Sequence, residues 1–140
     1  MMSQLLEFAG NHPLLIAGIV AAWLAVMFYE IRLKSQGFSH VSTPDAVRLI
    51  NKGAVVIDVR KADEFSTGHI VNAKNIELDT LLKDEKLISK YKNKVVLTVC
   101  NGGVSSNRAA GELRKAGVTQ AFSIRGGLAG WRNEKMPLEK

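Results

Sequence analysis

Cys100 is the only cysteine in the 140-residue chain, and the residues around it are typical of a nucleophile. It follows the apolar run 94–99 and precedes a glycine-rich turn, residues 101–103, and a helical pattern from about residue 105. Such a turn and the N-terminus of a helix present backbone N–H groups to one point, where they stabilise a thiolate and attract an anionic substrate. Taken alone, the cysteine would be interpreted as a small, buried apolar residue of the core. The strand, turn and helix together favour a reactive thiol.

The elements that must position this thiol follow from the pattern after residue 38. Apolar β-branched runs bounded by turn residues predict strands, and segments of helical spacing lie between them. Strands that alternate with helices predict parallel pairing and an α/β domain with helices on both faces. We expect strands over 39–41, 54–58, 73–76, 94–99 and 121–124, and helices over 43–51 (capped at Thr43), 61–67, 81–91, 105–116 and 128–133.

The first part of the chain is of a different physical type, because residues 8–29 carry no charge unless His12 is protonated. The span of about 13–31 would be roughly 27–29 Å long as a helix, close to the thickness of a bilayer's hydrocarbon core. A cleaved signal peptide is disfavoured, because Glu7 is the only charged side chain before the span and Met27-Phe28-Tyr29-Glu30 is a poor cleavage context. A buried core helix would have no comparable apolar surface to pack against.

We therefore expect a transmembrane anchor over 1–34, a linker over 35–37 and a domain over 38–140. Arg32 and Lys34 follow the span and no basic residue precedes it, so the positive-inside rule predicts a cytoplasmic domain. In a bacterium this describes a single-pass protein of the inner (plasma) membrane, with the lipid bilayer as its partner. An unpaired cysteine also fits a reducing compartment.

The charge of the chain does not indicate nucleic-acid binding, although the net charge is +6 and the pI is about 9.6. The basic residues interleave with acidic and apolar ones, and no basic run alternates with aromatics. Attraction to an anionic membrane surface or a small anionic substrate explains the charge better. A single cysteine excludes an intramolecular disulfide and a cysteine-based metal site, and the isolated His12 and His40 suggest no metal.

Three ordered motifs resemble those of the rhodanese family and together cover about residues 38–138. The first is Val56-Ile-Asp-Val-Arg60 with the downstream Glu64-Phe65, Gly68-His-Ile70, Ala73 and Asn75-Ile76. The second is the Cys100 loop, and the third is Ile124-Arg-Gly-Gly-Leu128 with Gly130-Trp131 and Pro137. The resemblance implies a small rhodanese-like domain with a central, mostly parallel five-stranded sheet flanked by helices, preceded here by the transmembrane helix.

The resemblance also implies a sulfurtransferase that needs no cofactor. The Cys100 thiolate would take the outer sulfur of an anionic donor such as thiosulfate, release sulfite, and pass the sulfur from a persulfide to a thiol or cyanide. Asp58 and Arg60 would give structural support, His69 would be structural rather than a general base, and Trp131 would serve packing. The predicted substrate-binding residues are Asn101, Gly102, Gly103, Val104, Ser105, Ser106 and Arg108.

Some features depart from the family pattern or favour another class. Ser105 stands where many members have a basic residue, and losing one charged hydrogen bond would weaken thiosulfate binding by about 1–3 kcal/mol. Asn72 and Glu77 replace a usual glycine and a usual proline. A related phosphatase needs Cys-x5-Arg, whereas the first arginine after Cys100 is Arg108. The main rival is a membrane-tethered, rhodanese-like interaction module with little or no turnover, acting on a membrane-protein partner.

Overall fold

The computed structural model describes residues 1–37 and 39–140, without the side chains of residues 33–37. The chain divides after Gly37 into two compact units. Phe38, the expected first residue of the domain, lies outside the described residues. The two units are described separately below.

The N-terminal unit consists of two helices, α1 (Met2–Asn11) and α2 (Pro13–Gly37). Proline suits the first turn of α2, because the N–H that it lacks would have no partner inside the helix there. Residues Pro13–Arg32 form a helix long and apolar enough to cross a membrane, and none of it is buried within the structure. Two local expectations differ. Helix α1 was not predicted, and residues 35–37, expected as a linker, continue α2, because neither proline nor glycine occurs between Gly18 and Gly37.

The second unit is an α/β domain. In chain order its elements are β1 (His40–Val41), α3 (Thr43–Asn51), β2 (Val55–Asp58), α4 (Ala62–Thr67), β3 (His69–Ile70), β4 (Lys74–Asn75), α5 (Leu78–Lys83), α6 (Glu85–Ser89), β5 (Val96–Val99), α7 (Val104–Lys115), β6 (Ala121–Ile124), α8 (Gly127–Asn133) and β7 (Leu138–Glu139).

Five of the strands form one parallel sheet in the order β1-β6-β5-β2-β4, which confirms the predicted five-stranded sheet. Strand β5 lies in the middle, between β2 and β6. Its register pairs Val96 with both Val55 and Ala121. The carboxyl end of β5, where Cys100 follows, is therefore at the centre of the sheet edge at which ligands bind in open α/β folds.

The core lies on both faces of this sheet, because alternate residues of β2 and β5 point to opposite sides. Ile57 and Val96 contribute to one buried cluster, and Val56 and Leu97 to the other. The first cluster is covered by α5, α6 and α7 and the second by α3 and α8. Full burial of each such aliphatic side chain stabilises the domain by about 1.5–3 kcal/mol. Packing on both faces fixes β5, and with it the start of the Cys100 loop.

Three local features of the domain differ from the sequence expectations. The single helix expected over 81–91 is divided into α5 and α6 at Asp84, whose side chain accepts the Leu87 N–H at 3.0 Å and so caps α6. The N-cap of α3 is Ser42 rather than Thr43, and its hydroxyl accepts the Asp45 N–H at 3.3 Å. Strands β3 and β7 form a separate antiparallel pair, too short to leave an alternating pattern in the sequence.

Candidate active site

The sulfur of Cys100 lies at the focus of the loop that follows β5. Cys100 is only 6% exposed, and its Sγ accepts the backbone N–H of Gly103 at 3.0 Å and that of Ser106 at 3.4 Å. Gly103 has a φ of 99°, a left-handed conformation that glycine adopts without the cost of a Cβ. Helix α7 begins at the next residue, so its N-terminal dipole also favours negative charge at the sulfur. The geometry is that of a buried thiol in an anion-stabilising turn.

A chain of buried hydroxyls continues from the sulfur into the sheet. The Ser106 hydroxyl lies 3.4 Å from the Cys100 Sγ and donates to the Gly103 carbonyl oxygen at 3.1 Å. The Ser123 hydroxyl of β6 is 2.8 Å from that of Ser106, and both serines are fully buried. Ser123 was not predicted from the sequence to be part of the site. Its signal was a polar side chain inside an otherwise apolar predicted strand, which in a buried position needs a hydrogen-bonding partner.

The start of α8 holds the other side of the loop through backbone contacts. The N–H groups of Leu128 and Ala129 donate to the carbonyl oxygens of Cys100 and Asn101 at 2.8 and 3.1 Å. This approach requires glycine at position 127, where φ is 58°. A Cβ there would lie 2.7 Å from the Asn101 carbonyl oxygen and still nearer to that of Cys100. Gly127 of the third motif therefore shapes the Cys100 loop.

Arg60 and Asp58, expected to give structural support, form a buried brace beside the loop. Arg60 Nη2 donates to Asp58 Oδ2 at 2.7 Å and to the Gly68 carbonyl oxygen at 2.8 Å, and Arg60 Nε lies within 3.1 Å of both Asp58 oxygens. Arg60 Nη1 donates to Asn101 Oδ1 at 3.4 Å, which links the end of β2 to the loop. The bidentate geometry is the strong form of this ion pair.

A cavity of about 490 Å³ opens beside Cys100. Of the predicted substrate-binding residues, Asn101, Gly102, Val104 and Ser105 line it, whereas Gly103 and Ser106 contact the sulfur itself. Arg108 is exposed on α7 and is not among the lining residues. Four further lining residues follow β2, the neighbour of β5, and were not predicted from the sequence to line the site. They are Val59, Lys61, Asp63 and Glu64.

His69 and Trp131 contact residues near the C-terminus, and neither is among the residues that line the cavity beside Cys100. The His69 ring stacks on Phe65 with centroids 3.7 Å apart, its Nδ1 is 3.0 Å from the Phe65 carbonyl oxygen, and its Nε2 is 3.4 Å from Glu139. Trp131 is 3% exposed and donates its indole N–H to the Pro137 carbonyl oxygen at 3.1 Å. Both side chains thus hold residues near the C-terminus, Glu139 and Pro137, against the rest of the domain.

Comparison with known proteins agrees with this geometry. Residues 42–134 match the Rhodanese-like domain family. The uncharacterized protein YibN of Escherichia coli K12 is 34% identical over 140 residues, covering 98% of this chain and 97% of its own length. The chain therefore belongs to the rhodanese-like domain family.

Two solved structures are also similar. A rhodanese-related protein from Thermoplasma volcanium has a TM-score of 0.65 and 27% identity, covering 71% of this chain and 96% of that protein. A human single-domain sulfurtransferase has a TM-score of 0.58 and 24% identity, covering 69% and 96% of the two chains. At that identity the human protein shows the shared fold only.

Proposed function

We propose that the chain is a sulfurtransferase that carries a sulfane sulfur as a persulfide on Cys100. The observation that carries the proposal is the position of the Cys100 Sγ, which is buried and accepts two backbone N–H groups at 3.0 and 3.4 Å. Membership of the rhodanese-like domain family supports it, since that family includes sulfurtransferases. The reaction is a double displacement in which the loop supplies electrostatic stabilisation.

The first half-reaction transfers one sulfur atom from the donor to Cys100 with no net oxidation or reduction. The Cys100 thiolate attacks the outer sulfur of the donor, and a new S–S bond forms from the thiolate's electron pair. The donor's own bond to that sulfur breaks, and its electron pair leaves with sulfite when the donor is thiosulfate. In the second half-reaction a thiol or cyanide attacks the outer sulfur, and the Cys100 thiolate leaves. The two N–H groups stabilise the thiolate at both ends of the cycle.

Thiocyanate production from thiosulfate and cyanide by the purified chain tests the proposal. We expect turnover by the wild type and none by Cys100→Ser, with an unchanged circular dichroism spectrum. Ser66→Ala, at an exposed site on α4 outside the cavity lining, is the matched control. Intact-protein mass spectrometry should show one added sulfur atom on the wild type after donor treatment and none on Cys100→Ser. Equal turnover by the Cys100→Ser variant would refute the proposal.

We also propose that α2 anchors the protein in a bacterial inner membrane with the domain in the cytoplasm. The apolar helix Pro13–Arg32 and the basic Arg32 at its C-terminal end support this topology. Removing residues 1–37 should move the protein from the membrane to the soluble fraction. A reporter that is active only in the periplasm, fused after Lys140, should be inactive. Retention of the truncated chain at the membrane would place the binding in the domain instead.

A tethered interaction module is the second candidate, favoured by one observation. The Cys100 loop has no basic side chain for a small anionic donor, and Arg108 does not line the cavity. A pure module would bind its membrane-protein partner equally well with Cys100→Ser. Unchanged co-purification of membrane proteins by that variant, together with no turnover by the wild type, would favour the module over the enzyme.

A further inference from the structure

The cavity beside Cys100 has acidic side chains in its lining. Asp63 and Glu64 lie in the first turn of α4 and line the cavity together with Lys61, and all three are exposed. Acidic residues in a first turn also stabilise a helix through its dipole, which accounts for their compatibility with α4. Because they line the cavity, they have a second effect: they set the electrostatic potential that a molecule meets as it approaches the sulfur.

The buried arginine of the cavity does not offset these carboxylates. The side chain of Arg60 is 4% exposed and pairs at 2.7 Å with Asp58, whose side chain is fully buried, so the charges of this pair cancel. The other lining residues, Val59, Cys100, Asn101, Gly102, Val104 and Ser105, bear no fixed charge. The lining therefore presents two carboxylates against one ammonium group, in addition to the thiolate of Cys100.

One of the carboxylates is tied to the loop that holds the sulfur. Asn101 Nδ2 donates to Glu64 Oε2 at 3.3 Å, and Asn101 Oδ1 accepts from Arg60 Nη1 at 3.4 Å. Asn101 is the residue that follows Cys100. This chain of contacts keeps the Glu64 carboxylate next to the path to the sulfur, where a dianion would meet repulsion and a cation attraction.

We infer that the sulfur donor of this site is a cationic carrier, an organic persulfide whose carrier bears an ammonium or guanidinium group, rather than a small dianion such as thiosulfate. The inference rests on the proposed function and replaces the small anionic donor that the loop alone led us to expect. The Cys100 thiolate attacks the outer sulfur of the protonated persulfide R–S–SH and forms Cys100–S–SH. The S–S bond of the donor breaks, and its electron pair stays on the inner sulfur, which leaves as the thiolate R–S⁻.

A matched pair of thiol reagents tests the charge preference independently of turnover. The methanethiosulfonates with a 2-(trimethylammonium)ethyl or a 2-sulfonatoethyl group both form a mixed disulfide with a thiolate and release methanesulfinate. Because Cys100 is the only cysteine, the modification rate of the full chain in nonionic detergent reports on this site alone. Each rate is divided by that of the same reagent with 2-mercaptoethanol, which removes intrinsic reactivity.

We expect the normalised rate to be about three- to tenfold higher for the cationic reagent at low ionic strength, and the ratio to approach one at high salt. The chain's net charge of +6 would by itself favour the anionic reagent, so a cationic preference must come from the cavity. The double variant Asp63→Asn/Glu64→Gln should lower the ratio to one or less, and Lys61→Gln should raise it.

A ratio of one or below in the wild type, or a ratio that the double variant leaves unchanged, would overturn the inference. The salt dependence of the wild-type rate ratio tests the inference even if substitutions in α4 weaken folding. The outcome is separate from the proposed function, because both reagents modify an accessible thiolate whether or not sulfur transfer occurs. A cationic preference together with no added sulfur on Cys100, from thiosulfate or from a cationic persulfide, would retain the charge selectivity and reject the enzyme.

Discussion

Replacing Gly127 with alanine should displace the Cys100 loop without touching any side chain of the site. The new Cβ would overlap the Cys100 carbonyl oxygen and lie 2.7 Å from that of Asn101. Alanine at a φ of 58° costs about 1–2 kcal/mol. The hydrogen bonds from Leu128 and Ala129 to the same carbonyls are worth about 1 kcal/mol each, and a shift of the loop weakens both.

Together these effects predict a loss of about 2–4 kcal/mol in the free energy of unfolding, which for a domain of this size lowers Tm by roughly 10–20 °C. Because misplacing a reacting group by about 1 Å can cost around 100-fold in rate, turnover should fall much further than the population of folded protein. Urea unfolding of the fragment 38–140 and thiocyanate production at a temperature where the variant is folded measure the two effects.

Two glycines provide controls for this substitution. A Cβ added at Gly111, inside α7, or at Gly102, in the loop, would meet nothing within 4 Å. Gly111→Ala should leave stability unchanged or raise it by up to about 1 kcal/mol, and Gly102→Ala should preserve the fold. A Gly127→Ala variant as stable and as active as Gly111→Ala would refute the idea that the backbone of α8 shapes the loop.

Three further substitutions test other parts of the structure. Arg60→Lys removes the bidentate contact and leaves Asp58 buried with a poorer partner, so urea unfolding should show a loss of about 2–4 kcal/mol in the free energy of unfolding. A loss below about 0.5 kcal/mol would contradict the structural role of this ion pair. Ser123→Ala shortens the buried hydroxyl chain and should slow alkylation of Cys100 by iodoacetamide about fivefold, which is the effect of losing one hydrogen bond. An unchanged rate would show that Ser123 has no influence on the sulfur and that only Ser106 does. Leu97→Ala, at a fully buried position, should cost about 2–5 kcal/mol, and a smaller loss would mean that the central strand repacks easily.

Much of the fold could be predicted because its central strands carry a strong signal. Strands β2 and β5 are buried on both faces, so their apolar runs stand out between turn residues. The helices that cover the two faces of the sheet carry apolar residues at helical spacing, so they could be predicted as well. The division of the predicted helix 81–91 was missed, because Asp84 can cap a helix or lie on a helix surface, and the sequence does not distinguish the two.

The site could be predicted only in part, for a related physical reason. Cys100 and its loop are contiguous in sequence, so their chemistry could be inferred locally. Ser123 and the acidic residues of α4 reach the site through the parallel pairing of β5 with β6 and β2, which brings distant segments to one sheet edge. Single-sequence reasoning places such residues only after the strand order is known. Gly127 was part of a recognised motif, but its contact with the loop depends on the packing of α8.

The two amides that converge on the Cys100 sulfur have a consequence for the stability of the persulfide that we propose. An S–S bond is about 2 Å long, so adding one sulfur atom moves the terminal negative charge about that far from the inner atom. The N–H groups of Gly103 and Ser106 are positioned for the inner atom, at 3.0 and 3.4 Å. In the proposed reaction the backbone would therefore stabilise the Cys100 thiolate better than the persulfide, which would make this thiolate a good leaving group when an acceptor attacks the outer sulfur.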